Sequence, residues 1–233
     1  DEAFQIITQR AIPPTYLPPT STITGLPSPG SYEIGTSLGT IVFNATFNQR
    51  DGGAETNTSY FVNGSNFAGN SFTVNSLTSN LTFNASKSYG QGACKNNNLG
   101  VLDCTGRIQA GSVNSNSISY LPVYRRYRGW LSDTTGISTG GQDIAIRSLP
   151  LDFVANANFG TFGTGNPTGT QFYVIAYFSN YPNLSNITQN GFPSLGAYNF
   201  ITRTINNAQG FPVSLKIYYS KNGQTSSSTI TAN

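Results

Sequence analysis

The chain has 233 residues, and only 9% of them are charged, against roughly a quarter in an average soluble domain. Twelve Lys and Arg against nine Asp and Glu leave a net charge of +3. That is too little for the basic stripe that neutralises many phosphates, which argues against nucleic acid as a partner.

There is no His, which removes Ser-His-Asp and Cys-His catalysis. There is no Met either, so we read the chain as processed or as a fragment. No run of about 18 apolar residues occurs, so no membrane-inserting helix is expected. Asn, Ser, Thr and Gly stand where charges usually do. Such surfaces suit extracellular adhesins, carbohydrate-binding modules and viral fibres. The length fits one large β domain or two ordinary ones.

Residues 1–30 read as an extended Pro-rich arm or linker. The stretch "AIPPTYLPPTSTITGLPSPG" holds six prolines in twenty residues. Pro fixes φ and removes a donor, which favours polyproline-like backbone over helix or central strand.

From residue 31 the pattern changes. In "TIVFNATFNQ", Ile41, Phe43, Ala45 and Phe47 alternate with Val42, Asn44, Thr46 and Asn48, the period of a half-buried strand. "RDGGAETN" follows as a turn, with Asp-Gly read as a hairpin signal. "SYFVNGSNF" and "NSFTVNSL" are short strands parted by Asn-Gly and Ala-Gly turns. "SNLTFNASKSY" alternates again, and "GRIQAGSVNSNSISYLPVY" reads as a strand pair. Short strands about ten residues apart argue for a β-sandwich over 31–122.

Residues 123–233 read as a second sandwich. "DIAIRSLPL" is expected to be a strand ending at Pro150. "FGTFGTGNPTGT" is expected to be a loop, too rich in Gly for a packed element. "QFYVIAYF", apolar on both faces, is expected at the centre of a sheet. "SNYPNLSNITQNGFPSLG" reads as a long loop or short helical turn. "NFITRTINNAQGFPVSLKIYYSKNG" reads as a hairpin and "SSSTITAN" as a closing strand. The fold class is therefore all-β: two immunoglobulin-like β-sandwich modules preceded by the arm.

The chemistry on offer is limited. A glycosidase needs two carboxylates facing each other across a cleft. Asp133 and Asp143 flank one loop, but Asp before Thr-Gly and near Gly-Gly ordinarily holds a turn. "DGG" at 51–53 supplies one carboxylate, which does not make a calcium site. "GTFGTGNPTG" lacks the Lys and helix of a phosphate loop. We expect no catalysis, no metal and no cofactor.

Cys94 and Cys104 lie in "ACKNNNLGVLDC", and the sequence leaves open a local disulfide or two free thiols. Seven Asn-X-Ser/Thr sites, at Asn44, Asn57, Asn63, Asn80, Asn84, Asn183 and Asn186, are read as chance in so Asn-, Ser- and Thr-rich a chain. Tyr181 and Phe192 are the best candidates for exposed contact aromatics. "VYRRYRGW" at 123–130 concentrates Arg125, Arg126 and Arg128 beside Trp130, the chain's one Trp. These four residues, with Tyr181 and Phe192, are the candidate partner or ligand contacts.

Two stretches carry a family resemblance. They are "SYEIGTSLGTIVFNATFNQRDGG … SNLTFNASKSYGQG" and "QFYVIAYFSNYPNLSNITQNG … FITRTINNAQGFPVSLKIYYSKNG". They resemble C-terminal β modules of structural and fibre-like proteins of tailed phages infecting Bacteroidota, including the crAss-like group. Glu33-Ile34-Gly35, Asp51-Gly52-Gly53 and Tyr89-Gly90-Gln91-Gly92 carry the first match. Val174–Pro182, Asn190-Gly191 and Leu215–Tyr219 carry the second. Where such modules often place a charge after the hydrophobic strand, "YFSNYPN" is neutral.

The resemblance implies a non-enzymatic component of a virion surface or extracellular fibre. It would assemble with copies of itself and other virion or surface proteins, and attach to a host glycan or receptor. In that arrangement "VYRRYRGW" falls between the modules. Val123, Tyr124, Tyr127 and Trp130 would be buried, and the arginines would bond loop carbonyls, Asp133 or Asp143. The alternative is a bacterial surface adhesin or carbohydrate-binding module.

Overall fold

Alternating residues punctuated by Gly and Asn build strand after strand and little helix. The computed structural model describes residues 11–153 and 159–233, and for 151–153 the backbone alone. The first ten residues of the expected arm, with Asp1 and Glu2, lie outside the described residues, as does the Asp152 side chain. The strands form several sheets, giving the all-β sandwich architecture expected from the sequence.

The chain divides into two units. The first holds the described residues up to Gly30, with Leu38–Asn75 and Ser79–Leu121. The second holds Ser31–Ser37, Ser76–Thr78 and Pro122–Asn233.

In the first unit, β1 (Thr20–Leu26), β3 (Gly39–Asn48) and β6 (Ser71–Val74) form an antiparallel sheet in the order β1-β3-β6. A second sheet runs β11-β7-β4-β5, from β11 (Ile118–Val123), β7 (Leu81–Tyr89), β4 (Glu55–Val62) and β5 (Ser65–Phe67). Ile41 and Phe43 point inward while Val42 and Asn44 face water, the expected phase. Phe43 meets Phe83 across the sandwich at 4.6 Å, and Phe83 meets Tyr120 edge-on at 5.8 Å. The β4–β5 hairpin turns on Asn63 and Gly64, both at positive φ (47° and 83°), as a two-residue turn requires.

Three expectations fail in this unit. Much of the predicted arm is strand: β1 pairs with β3 from Thr20↔Asn48 to Leu26↔Val42. The prolines bracket this segment at 18 and 19 and at 27 and 29 and leave its interior free, so composition averaged over twenty residues hid it. The Asp-Gly turn makes no hairpin, because β3 and β4 belong to different sheets. The expected pair over 106–124 is not a pair: β10 (Gly111–Asn114) and β11 both add to β7.

In the second unit, five strands run in the order β13-β12-β15-β19-β18. They are β13 (Leu151–Phe153), β12 (Arg125–Leu131), β15 (Phe172–Phe178), β19 (Pro212–Ser220) and β18 (Tyr198–Asn206). β15 is third of five and buried at five consecutive positions, as its two-faced apolarity predicts. One face of this sheet packs Tyr173, Ile175, Tyr177 and Tyr218 on Phe159, Phe162, Leu184, Ile187 and Ile230. Most of these come from a second sheet, β14-β20-β16-β17, formed by β14 (Gly160–Gly163), β20 (Thr229–Ala232), β16 (Ile187–Gln189) and β17 (Phe192–Pro193). The opposite face packs Val174, Ala176, Leu215 and Ile217 with Ile34, Ile137 and Ile146.

The expected β18–β19 hairpin and closing strand β20 form. "DIAIR" is instead a one-turn helix, α1 (Asp143–Arg147), with its acid in the first turn and its base in the last. Five residues are too short a run for alternation to separate helix from strand in sequence; in the helix, residues two apart fall on different sides. Ile146 is buried and Ile144 exposed. The Gly-rich loop contains β14, because Phe159 and Phe162 anchor it in the core despite the glycines. The predicted long loop after Tyr181 contains β16 and β17, joined through Asn190 and Gly191 at positive φ.

Candidate ligand site

The "VYRRYRGW" stretch forms β12 and its approach within the second unit, inside a sheet between β13 and β15. Alternation sorts its side chains by face. Arg126, Arg128 and Trp130 lie toward the second sheet. The Arg126 guanidinium sits 4.3 Å from the Phe159 ring centroid, and Arg128 sits 4.2 Å from that of Phe162. Each cation lies over an aromatic ring, an attraction of about 1 kcal/mol or more when desolvated. Trp130 donates from Nε1 to the Thr164 carbonyl at 2.8 Å and packs edge-on against Tyr173 at 4.8 Å. Its ring is thereby fixed from two sides.

Arg125 and Tyr127 face the other way. Arg125 Nε lies 3.1 Å from Glu33 Oε2. Tyr127 is buried, and desolvation pushes its hydroxyl up to about 12. Tyr124 stacks nearly parallel on Phe178, with centroids 3.6 Å apart.

The predicted roles for the acids differ from those observed. Asp143 Oδ2 takes Arg203 at 2.8 Å, and Asp133 accepts the Thr135 amide at 2.8 Å. Neither acid meets the arginines of β12. A turn-holding Asp133 is what its sequence context indicated.

A cleft of about 380 Å³ opens beside this strand, lined by Arg128, Trp130, Pro150, Thr164 and Tyr173. Gly129 forms part of its wall, and a Cβ there would come within 2.9 Å of Leu149 Cδ2. Trp130 is half-buried, so part of its ring faces water. Arg128 and Trp130 are thus brought together as the sequence suggested. Arg125 and Arg126 do not line the cleft, nor do Tyr181 and Phe192. Tyr181 packs edge-on against Phe178, while Phe192 stands 73% exposed on β17. Thr164 and Tyr173, which hold Trp130, were not singled out from the sequence, because they lie far from it along the chain.

In the first unit Cys94 and Cys104 form a disulfide. It closes the hairpin of β8 (Lys95–Asn96) and β9 (Leu102–Asp103). Asp51 accepts the Leu17 amide at 2.7 Å and pairs with Lys95 at 2.8 Å. The Lys95 bond, then the Leu17 amide, hold its carboxyl below the usual range. Glu55 pairs with Lys87 at 2.7 Å, and that ammonium, with Thr58, lowers its carboxyl likewise. Asp103 and Asp133 are lowered by hydrogen bonds from Thr105 and Thr135. Among the described residues, no three His, Cys, Asp or Glu side chains gather as a metal site would need.

No protein-family model matches this chain, and no curated protein or solved structure matches it.

Proposed function

We propose that the chain is a non-enzymatic structural component of a virion or extracellular surface fibre. It assembles with copies of itself and with other virion or surface proteins, and presents its β-rich surface for attachment to a host glycan or receptor. The observation that carries this reading is the use made of the acids. Glu33, Asp51, Glu55 and Asp143 are in ion pairs, while Asp103 and Asp133 hold turns. Those carboxylates serve architecture, whereas a glycan-cleaving enzyme needs two poised across a cleft. The disulfide supports a location outside a reducing compartment. The resemblance to phage fibre modules points the same way.

Light scattering of the intact chain tests assembly. The expected result is a stable oligomer whose mass is a whole multiple of the chain's. A monomer across the micromolar range would remove self-assembly from the reading.

The second reading is a surface adhesin or carbohydrate-binding module. The cleft at Arg128 and Trp130 favours it, since a fixed indole and a guanidinium suit a ring carrying a carboxylate. Binding of a uronic acid glycoside, lost on Arg128→Ala, would support that reading over pure assembly.

A further inference from the structure

β18 forms one edge of the five-stranded sheet in the second unit, with β19 as its neighbour. The nine-residue strand pairs one to one with β19, without a bulge, and contains no proline. The hydrogen-bond phase is fixed at both ends. Asn207 N donates to the Phe211 carbonyl at 2.9 Å, and Lys221 N to that of Ala197 at 2.9 Å. In an antiparallel ladder every second pair is hydrogen-bonded. Asn199, Ile201, Arg203 and Ile205 therefore turn their backbone groups to β19. Those of Phe200, Thr202 and Thr204 point away from it and meet no hydrogen-bond partner among the described residues. All three residues are exposed, Phe200 by 43%.

The edge of β1 in the first unit is treated differently. There Asn116 closes the outer side, with Oδ1 accepting the Ile23 amide at 2.9 Å and Nδ2 donating to its carbonyl at 3.4 Å. Along β18 only the far end is met among the described residues, where Arg147 Nη1 donates to the Asn206 carbonyl at 3.4 Å. A long regular edge is ordinarily blunted by Lys, Pro, a bulge or a covering segment. The one charged side chain on β18, Arg203, is neutralised by Asp143 at 2.8 Å.

This edge is complementary to itself. A two-fold axis at Thr202 sets that residue opposite its own twin, and Phe200 opposite Thr204 of the second copy. The free groups of all three residues then fall in hydrogen-bonded positions, each pair exchanging both its bonds. Thr on Thr and an aromatic on a β-branched residue are favourable cross-strand pairs. On the other face Ile201 meets the aliphatic stem of Arg203. With Asp143 beside each Arg203, the two copies do not repel there. A two-fold contact of this kind occupies both edges at once, so the assembly closes instead of growing.

We propose that β18 is the surface at which two copies of this chain join, edge to edge and antiparallel about Thr202, in one continuous sheet with five strands from each copy. The inference rests on the self-assembly reading and names the surface that carries it.

The test uses the intact chain. Light scattering over a dilution series should give a mass of two chains or an even multiple. Thr202→Lys and Thr202→Glu each put like charges directly opposite across the seam. Each should move dissociation to about fivefold higher concentration, and mixing the two variants should bring it back. A second measurement needs no variant. Amide exchange followed by NMR should find Phe200, Thr202 and Thr204 protected in the oligomer and exchanging freely once dilution yields single chains. An oligomer that both variants leave intact, or one in which these amides exchange freely, overturns the β18 interface and leaves the assembly reading standing. A monomer at every concentration overturns both. Protection of the three amides in a species of single-chain mass would assign the edge to another segment of the same chain, and that too overturns the proposal.

Discussion

Arg125 reaches Glu33 with Nε 3.1 Å from Oε2, and the Glu33 side chain is 3% exposed. Glu33-Ile34-Gly35 therefore acts as a clip within the second unit. Glu33 takes the cation, and Ile34 enters the core. The Ile34 carbonyl accepts Asn207 Nδ2 at 2.7 Å. Gly35, at φ +88°, has no room for a Cβ beside Phe211. Removing Arg125 strands the buried Glu33 carboxylate without its counter-charge, leaving it, among the described residues, only the long Gln209 amide contact at 3.4 Å. Arg125→Ala should thus cost about 3 kcal/mol. The double change Glu33→Leu with Arg125→Met should cost less than Arg125→Ala alone. Urea unfolding followed by fluorescence of Trp130, the one Trp in the chain, reads this unit directly. If the single change shifts the midpoint no more than the double one does, the clip is not what stabilises the unit.

The Asp51-Gly52-Gly53 and Gly90-Gln91-Gly92 turns interlock through their backbones. Gly53 N donates to the Gly90 carbonyl, and Gly90 N to that of Ala54, each at 2.9 Å. A Cβ on Gly92 would overlap the Asp51 carbonyl, and one on Gly53 would overlap the backbone of Gly90 and Gln91. Backbone cannot swing aside as a side chain does. Gly92→Ala and Gly53→Ala should each cost more than about 3 kcal/mol. Gly163→Ala, with no atom within 4 Å of the added carbon, should cost almost nothing. Thermal melts by far-ultraviolet circular dichroism compare the three. Equal midpoints for Gly92→Ala and Gly163→Ala would refute the interlock.

The longest strand-like runs made β3, β7, β15, β18 and β19 legible, β15 through an unbroken apolar run rather than alternation. Each has its own turn residues and a face that water or core selects. Partners were not legible, because pairing depends on residues far along the chain. The Asp-Gly turn was read as a hairpin, yet its glycines serve close backbone packing on another turn. β14 was read as loop because glycines outnumber its anchors, and only the core around Phe162 reveals the strand. The cleft was half legible. Arg128 and Trp130 stand out in sequence, while Thr164 and Tyr173 are ordinary residues that matter through where the sheets put them. The open edge of β18 gave no signal at all, since an unpaired backbone edge exists only in three dimensions.

The disulfide closes a short loop, with a sequence separation of 10 between Cys94 and Cys104. Restricting the unfolded chain over such a loop stabilises the fold by about 2–3 kcal/mol. The hairpin it closes is also where Tyr16 docks. The Tyr16 hydroxyl donates to the Asp103 carbonyl at 2.9 Å and accepts the Lys95 amide at 2.9 Å. Replacing both Cys by Ser should lower the melting temperature by several degrees. It should also expose the segment around Tyr16 to limited proteolysis. An unchanged digestion pattern would show that Tyr16 is held without the crosslink.

Acid should act unequally on the two units. Asp51, Glu55 and Asp103, all in the first unit, have carboxyls held below their ordinary values of 3.8 to 4.5. In the second unit the Asp133 carboxyl is lowered too. A carboxyl whose value is depressed by folding stabilises above its unfolded value. It loses that contribution as pH falls through the folded one. The loss therefore begins near pH 4 and continues below it. Glu55 carries an added consequence, because its protonation leaves Lys87, only 6% exposed, without its counter-charge. Titration from pH 6 to 2 should show the ring NMR signals of Tyr60, Tyr89 and Tyr120, all in the first unit, changing before Trp130 fluorescence. Glu55→Gln should shift that first transition to higher pH. If Trp130 responds first, or if Glu55→Gln leaves the transition in place, the ion pair at Lys87 is not the acid-sensitive point of the fold.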